Sequence, residues 1–427
     1  MKLTIPILMI VTTFVPPFAK AQTCTHTFTP SNVGAGSYPG SNVNTAVEGG
    51  TTGTVLCFSS GSYGAIDIYA AHPTGSGLLT IEPAPGATVT GISFNLNGVS
   101  NVLITGFCST STVSGCPSSG SSSLDGGVLI QVAGQGNNSN ITVSYNSMPT
   151  TGVEVTGNAV ANANINITNN SFVGYASSGE QSRLNVVSCN SCPNGITISG
   201  NLISGGESDG IDISGNSCQT QILNNTITNI IESNCNGIHC DAFQDNGGGN
   251  GTVISGNYIY NTSDCFLLDD GSSNYLIENN VCGPSSDSSY WMQFGGASNI
   301  TLNHNTIIST AGAQYGNDHT GTPSSNVMFT NNIFYTLPVQ NSGQPVSGTF
   351  NESYNLCLSG CGGSNDLKGT PAYVGGANPS IYSGFALTSG SIGHAAGSDG
   401  KDMGIILSSG SAQAPRPPTN LMVAVIN

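Results

Sequence analysis

Positive charge is almost absent from this chain: its 427 residues carry six lysines and arginines against 22 aspartates and glutamates. Two of the six, Lys2 and Lys20, stand within the first 21 residues; beyond them Arg183, Lys368, Lys401 and Arg416 remain, and four cations against 22 acids gives −18. This excludes nucleic acid and anionic membrane surfaces as partners, because phosphate binding depends on clustered Lys and Arg. A polyanionic glycan is repelled as well, unless a cation bridges it. There is one tryptophan, and past the first residues no apolar run approaches the roughly 20 residues of a membrane span. Scarce charge and 58 glycines raise the question of disorder. Regularly spaced apolar side chains argue against it.

What is present begins with an export signal. The opening "MKLTIPILMIVTTFVPPFAKAQ" has an early lysine, an apolar run from Ile5 to Phe18, and Ala19-Lys20-Ala21 as an A-x-A cleavage site, so residues 1–21 are expected to be removed near Ala21 and the product secreted. All thirteen cysteines lie beyond that point, where disulfides are permitted. Cys108/Cys116, Cys189/Cys192 and Cys357/Cys361 are close enough to pair locally, and Cys24/Cys57 can pin the N-terminal segment. The odd count leaves at least one thiol over.

Eight segments share one pattern: "ITVSYNSM" (141–148), "INITNNSF", "ITISGNLI", "TQILNNTI", "TVISGNYI", "YLIENNVC", "ITLNHNTI" and "VMFTNNIF" (327–334). Their sixth residues are Asn146, Asn170, Asn201, Asn225, Asn257, Asn280, Asn305 and Asn332, spaced by 24, 31, 24, 32, 23, 25 and 27 residues. Apolar side chains stand three before each anchor, from Val143 to Phe329, and two after, from Met148 to Phe334. That alternation is a strand signal. Short strands on a repeat of about 25 residues form a solenoid whose coils stack. Asparagine suits the corner because it tolerates a left-handed backbone and its amide can bond the asparagine of the next coil.

On these segments the chain resembles the right-handed parallel β-helix proteins of the pectate-lyase-like superfamily. The resemblance implies an all-β, right-handed parallel β-helix solenoid of about ten coils with an asparagine ladder, over residues 22–405. "GGTTGTVLCFSSGSYGAIDI" looks like its opening coils and "FALTSGSIGHAAGSDGKDMGI" like its closing ones. Residues 406–427 read as a Pro-rich tail with no room for a further domain.

Upstream of each ladder segment runs another strand: "GVEVTG" (152–157), "RLNVVS" (183–188), "GIDISG" (210–215), "GIHCDAF" (237–243), "CFLLDDG" (265–271) and "YWMQFGG" (290–296). Aligned on the glycine, they turn Ile211, Ile238 and Phe266 inward. The outward columns are then Glu154, Asn185, Asp212, His239, Leu267, Met292 and Thr156, Val187, Ser214, Asp241, Asp269, Phe294. With coils about 4.8 Å apart, Asp241 and Asp269 are expected side by side, and His239 beside Asp212. Eleven of the 22 acids fall between Glu207 and Asp287, so the cluster is local. Two carboxylates so close cannot both ionise freely, which suits an acid and base on a glycosidic bond. The catalytic candidates are Asp241, Asp269, His239 and Asp212. Glu154, Asn185, Arg183, Gln244, Asp270, Phe294 and Trp291 are the substrate-binding candidates. Gln244 and Asp245 are placed at a turn after the strand, and Cys240 in the core.

Two fragments are similar to the polygalacturonase branch: "SDGIDIS" to its N-T-D-G segment and the stretch from "SDCFLLDDG" to its G-D-D-C segment. The similarity implies catalytic roles for Asp209 and Asp264. This sequence departs from that pattern in having one acid where the family has two, "PSSDSS" in place of the glycine-histidine-glycine turn, and no R-x-K pair. The run His239, Asp241, Gln244 resembles an H-x-D-x-x-Q feature of secreted β-helix proteins.

The function expected is a secreted, monomeric, carbohydrate-active protein that hydrolyses an extracellular polysaccharide through the Asp pair, with no cofactor. One alternative is a lyase, with Asp212, Asp241 and Asp269 holding Ca²⁺ and Arg183 as the one basic group in the groove. The other is a non-catalytic glycan-binding surface or matrix protein.

Overall fold

The side chains that the repeat marks as inward build the core. Residues three before and two after each of the eight anchors are at most 1% exposed. A computed structural model describes residues 23–407 apart from 35–40, 132–135, 158–161, 175–183, 188–194, 215–218, 236–239, 285–289, 317–319 and 341–349. The chain winds through three parallel sheets of thirteen, ten and eleven strands, each taking one strand per turn of the chain. Like residues stack in register, as in Ile141 on Ile165 on Ile196. This is a parallel β-helix, and one apolar cluster runs inside it from Phe28 to Cys357.

The anchors hydrogen-bond from coil to coil. Asn146 Nδ2 donates to Asn170 Oδ1 (3.1 Å), and the pattern repeats to Asn332 and Asn355 (3.1 Å). Each Oδ1 also accepts the main-chain N–H of the previous anchor, as Asn201 does from Asn170 (2.9 Å), and each Nδ2 reaches a carbonyl such as Ile167 O (2.9 Å). Every anchor thus satisfies buried backbone that would otherwise be orphaned. Asp366 Oδ1 ends the ladder by accepting Asn355 N–H (2.7 Å). The left-handed residue is not the anchor but the one before it: Tyr145, Asn169, Asn224, Asn279, His304, Asn331 and Tyr354 at φ 53–58°, with Gly200 and Gly256 in equivalent places.

Among the described residues, disulfides join Cys24–Cys57, Cys108–Cys116 and Cys357–Cys361 as expected, and also Cys235–Cys240 and Cys265–Cys282. Cys189, Cys192 and the export signal lie outside the described residues. A helix, Asn42–Glu48, capped by Ser41, buries Val43 and Val47 near the N-terminal end. After the last strand, Leu367–Lys368, residues 369–407 add nothing to the three sheets. They run back over the ten-stranded sheet instead, packing Tyr373, Phe385, Leu387, Met403 and Ile405 with Tyr258, Val281 and Ile333. Among the described residues no helix is long and apolar enough to cross a membrane.

Candidate functional site

The eleven-stranded sheet turns two columns of side chains outward. The first runs Leu129, Glu154, Asp212, Gln244, Leu267, Gln293, Gln314, with Asn185 in backbone register between Glu154 and Asp212. The second runs Gln131, Thr156, Ser214, Asn246, Asp269, with Val187 in backbone register between Thr156 and Ser214.

This register corrects the expected cluster. The strand of the central coil is Phe243–Asn246, beginning after the Cys235–Cys240 disulfide, so Phe243 takes the inward place expected for Ile238. A slip of five residues is odd and exchanges the two faces. Asp241 is therefore not outward: it stands before the strand, 0% exposed, and Asp269 lies in register with Asn246. Asp212 neighbours Gln244 rather than His239, which lies outside the described residues, as does Arg183. Gln244 and Asp245 belong to the strand and not to a turn. Cys240 is buried as expected, but in a disulfide. A second irregularity, at Tyr290/Met292, turns Met292 and Phe294 inward and Gln293 outward. Trp291 is buried too, stacked on Phe334 (5.9 Å between centroids) with Nε1 donating to Thr336 O (3.3 Å). Neither Trp291 nor Phe294 can stack a sugar. Glu154 and Asp270 are exposed, Asp212 and Asp269 partly so.

Beneath the outward columns, at the corner leading into the strands, three buried aspartates stack. Asp209, Asp241 and Asp264 each stand two residues before an inward side chain: Ile211, Phe243 and Phe266. Asp209 Oδ1 accepts Asp241 N–H (2.7 Å), and Asp241 Oδ1 accepts Asp264 N–H (3.3 Å). Carboxylates only accept, so amides meet them nitrogen first. Gln244 donates to Asp209 Oδ2 (3.2 Å) and Asp241 Oδ2 (3.3 Å), while its oxygen accepts from Asn246 Nδ2 (2.6 Å). Gln293 Nε2 donates to Asp264 Oδ2 (2.7 Å), and Gln314 Nε2 donates to Gln293 Oε1 (2.8 Å). The two acids that the polygalacturonase similarity singles out, Asp209 and Asp264, thus share a column with Asp241 between them.

One more carboxyl group faces the interior. Asp245 lies between Ile213 and Leu268 and accepts from Tyr275 Oη (2.6 Å) and Gly248 N–H (2.6 Å). Burial pushes its pKa up to about 6, against the pull of these donors and Ser272. Burial, and then Asp245 itself, hold the Tyr275 phenol well above its ordinary value.

The expected calcium ligands do not come together. Asp241 is sealed in the corner, and Asp212 and Asp269 stand two coils apart, roughly 9.6 Å at 4.8 Å per coil. Oxygens on one Ca²⁺ each lie about 2.3–2.6 Å from it, so this set does not fit the ion. Among the described residues the ligand atoms that do converge belong to Glu352, Cys361 and Asp366, and Cys361 is already bonded to Cys357.

Sequence reasoning missed Gln293, Gln314, Asn246 and the aspartate column. The column has a signal of its own, the recurring triplets "DGI", "DAF" and "DCF" at 209, 241 and 264. Alignment on aspartate rather than glycine finds the register.

No family model matches the sequence. No curated protein matches it either. Among solved structures it is similar to PfbA, a surface adhesin of Streptococcus pneumoniae, at 12% identity and TM-score 0.44, over 78% of this chain and 90% of that one. It is similar to the PL6-family alginate lyase AlyGC at 11% and 0.42, over 82% of this chain and 56% of the other. A third is pectate lyase Pel9A, at 13% and 0.37, over 92% and 96%.

Proposed function

We propose that this chain is an extracellular carbohydrate-active protein that holds an extended polysaccharide along the outer face of the eleven-stranded sheet and cleaves it beside a uronate by β-elimination. The observation that carries the reading is the isolation of Asp212 among the outward acids. Hydrolysis by two carboxyl groups needs them about 5–9.5 Å apart. Glu154 and Asp269 each stand two coils from Asp212, roughly 9.6 Å from backbone to backbone and so at the far end of that range. Elimination needs one proton acceptor, and Asp212 is the outward carboxylate to which we assign that role. It takes the proton from the carbon next to the uronate carboxylate. That electron pair forms the carbon–carbon double bond, the bond to the glycosidic oxygen breaks, and the leaving oxygen gains a proton from solvent.

Arg183 supplies the countercharge that a uronate needs on so acidic a protein. It directly precedes Leu184 in the sequence and lies outside the described residues. The disulfides support an oxidising, extracellular setting.

The test incubates the secreted protein, Asp212→Asn and Arg183→Gln with polyuronates and neutral polysaccharides. Ultraviolet absorbance of unsaturated uronates should appear with the parent and fall at least about 100-fold in Asp212→Asn. New reducing ends without that absorbance would return the reading to hydrolysis, and binding without cleavage would make the face a glycan-binding surface.

A further inference from the structure

Beyond Asp212 the outer face sinks into a shallow trough lined by Leu267, Asp269, Gln293, Gln314 and the glycines Gly295 and Gly316, with a volume of about 100 Å³. This is less than the roughly 300–1,000 Å³ of a closed small-molecule pocket, so a ligand lies across it. Its polarity is fixed from below. Buried Asp264 accepts only, which commits the nitrogen of Gln293 to it (2.7 Å) and leaves Gln293 Oε1 to receive Gln314 Nε2 (2.8 Å). Both amides therefore point their donor ends down the chain of bonds toward Asp264. Gln314 keeps its carbonyl oxygen at the far end, on the same trough as the Asp269 carboxylate. Asp209 and Asp241 turn Gln244 and Asn246 the same way two coils earlier.

We propose that this trough is a sugar subsite selective for a ring that presents hydrogen donors, hydroxyl or ammonium, and that it refuses a carboxylate. Leu267 offers a small apolar patch for a ring face, and the glycines Gly295 and Gly316 add no side chain to obstruct it. A uronate there meets Asp269 and an amide oxygen, with the amide donors drawn toward Asp264; a like charge so placed is repelled. An ammonium instead gains a charge-assisted bond to Asp269. The inference rests on the proposed elimination for what it says of the whole polymer. With a uronate at Asp212 and a donor-bearing ring in the trough, the substrate is a mixed polysaccharide in which neutral or amino sugars interrupt the uronates.

The experiment measures binding of oligomers of glucose, glucosamine and galacturonate by calorimetry, using full-length secreted protein carrying Asp212→Asn so that nothing is cut. Glucose or glucosamine oligomers should bind at least about tenfold tighter than the uronate. A glucosamine preference abolished by Asp269→Asn identifies ammonium as the donor, and equal binding identifies hydroxyl. Asp264→Asn can donate, which frees both glutamines to reverse; selectivity should shrink to under about threefold at unchanged melting temperature. Should Asp264→Asn fail to fold, Gln314→Leu on the surface serves instead and should weaken glucose and glucosamine binding alone. Uronate binding equal to that of the neutral oligomer, or selectivity indifferent to Asp264→Asn or Gln314→Leu, overturns the subsite. Elimination of a homopolymeric uronate without this selectivity would keep Asp212 and sink the trough; selectivity without elimination would do the reverse.

Discussion

Among the described residues, the asparagine corner climbs through nine residues, from Asn146 to Asn355, while the aspartate corner has three, Asp209, Asp241 and Asp264. Both stack one residue type on itself over backbone that needs partners. An amide both donates and accepts, so each asparagine satisfies the next and the column can continue indefinitely. A carboxylate carries charge and only accepts, so neighbours about 4.8 Å apart repel and donors must come from elsewhere. Here they come from the main chain and from Gln244 and Gln293, which open onto the groove. A self-sufficient ladder marks scaffold. A ladder that must recruit its partners marks the face that we propose as the site.

Exchanging the two chemistries gives the largest expected effect. Asn257→Asp deletes the donor that serves Asn280 Oδ1 (2.9 Å) and Ile222 O (3.0 Å) and sets a charge against an oxygen. It should cost about 3–5 kcal/mol in urea unfolding. A loss below about 1 kcal/mol would erase the distinction between the corners.

Next in size is the buried acid that belongs to neither ladder. The pKa of Asp245 is raised from 3.8 to about 6, so the fold favours its protonated form. Its contribution is complete below the ordinary value and is lost as pH rises through about 6, amounting to about 2–3 kcal/mol. Asp245→Asn stays neutral throughout. Its stability relative to the parent should therefore climb by that amount between pH 4 and pH 7, and a flat difference would show that Asp245 ionises in the core without cost.

The smallest stability effect is expected at the middle of the aspartate column. Asp241→Asn relieves repulsion and keeps an oxygen for Asp264 N–H, so unfolding should move by less than about 1 kcal/mol. Yet the new amide opposes the Gln244 nitrogen and turns that side chain over. Cleavage or glycan affinity should fall at least about tenfold. A stability loss as large as that of Asn257→Asp would make the aspartates mere scaffold.

The ladder and the core were legible because their signal repeats at each anchor and every instance agrees; the buried stacks from Val143 to Phe329 and from Met148 to Phe334 follow from alternation alone. The site was not, because its coil breaks the rhythm. Gly237 imitates the glycine that opens neighbouring strands, while Cys235–Cys240 delays the strand to Phe243. An odd error in register exchanges inside for outside, so Asp241 went from expected member of an acid and base pair to buried column, and Gln244 from turn to outward column. Asp212 keeps its expected outward position because its own strand, Ile211–Ser214, follows the common pattern.

The returning segment 369–407 ties late residues to early ones. Ile406 N–H meets Asn279 Oδ1 (3.0 Å), Ile405 N–H meets Thr306 Oγ1 (3.1 Å), and His304 lies against Asp399 and Asp402. Coils can assemble one upon another as the polypeptide emerges, but the flank bearing Tyr258, Val281 and Ile333 stays bare until the final stretch arrives to clothe it. A copy halted before residue 369 would lack Tyr373, Phe385, Leu387, Met403 and Ile405 together and leave that greasy side wall open to water.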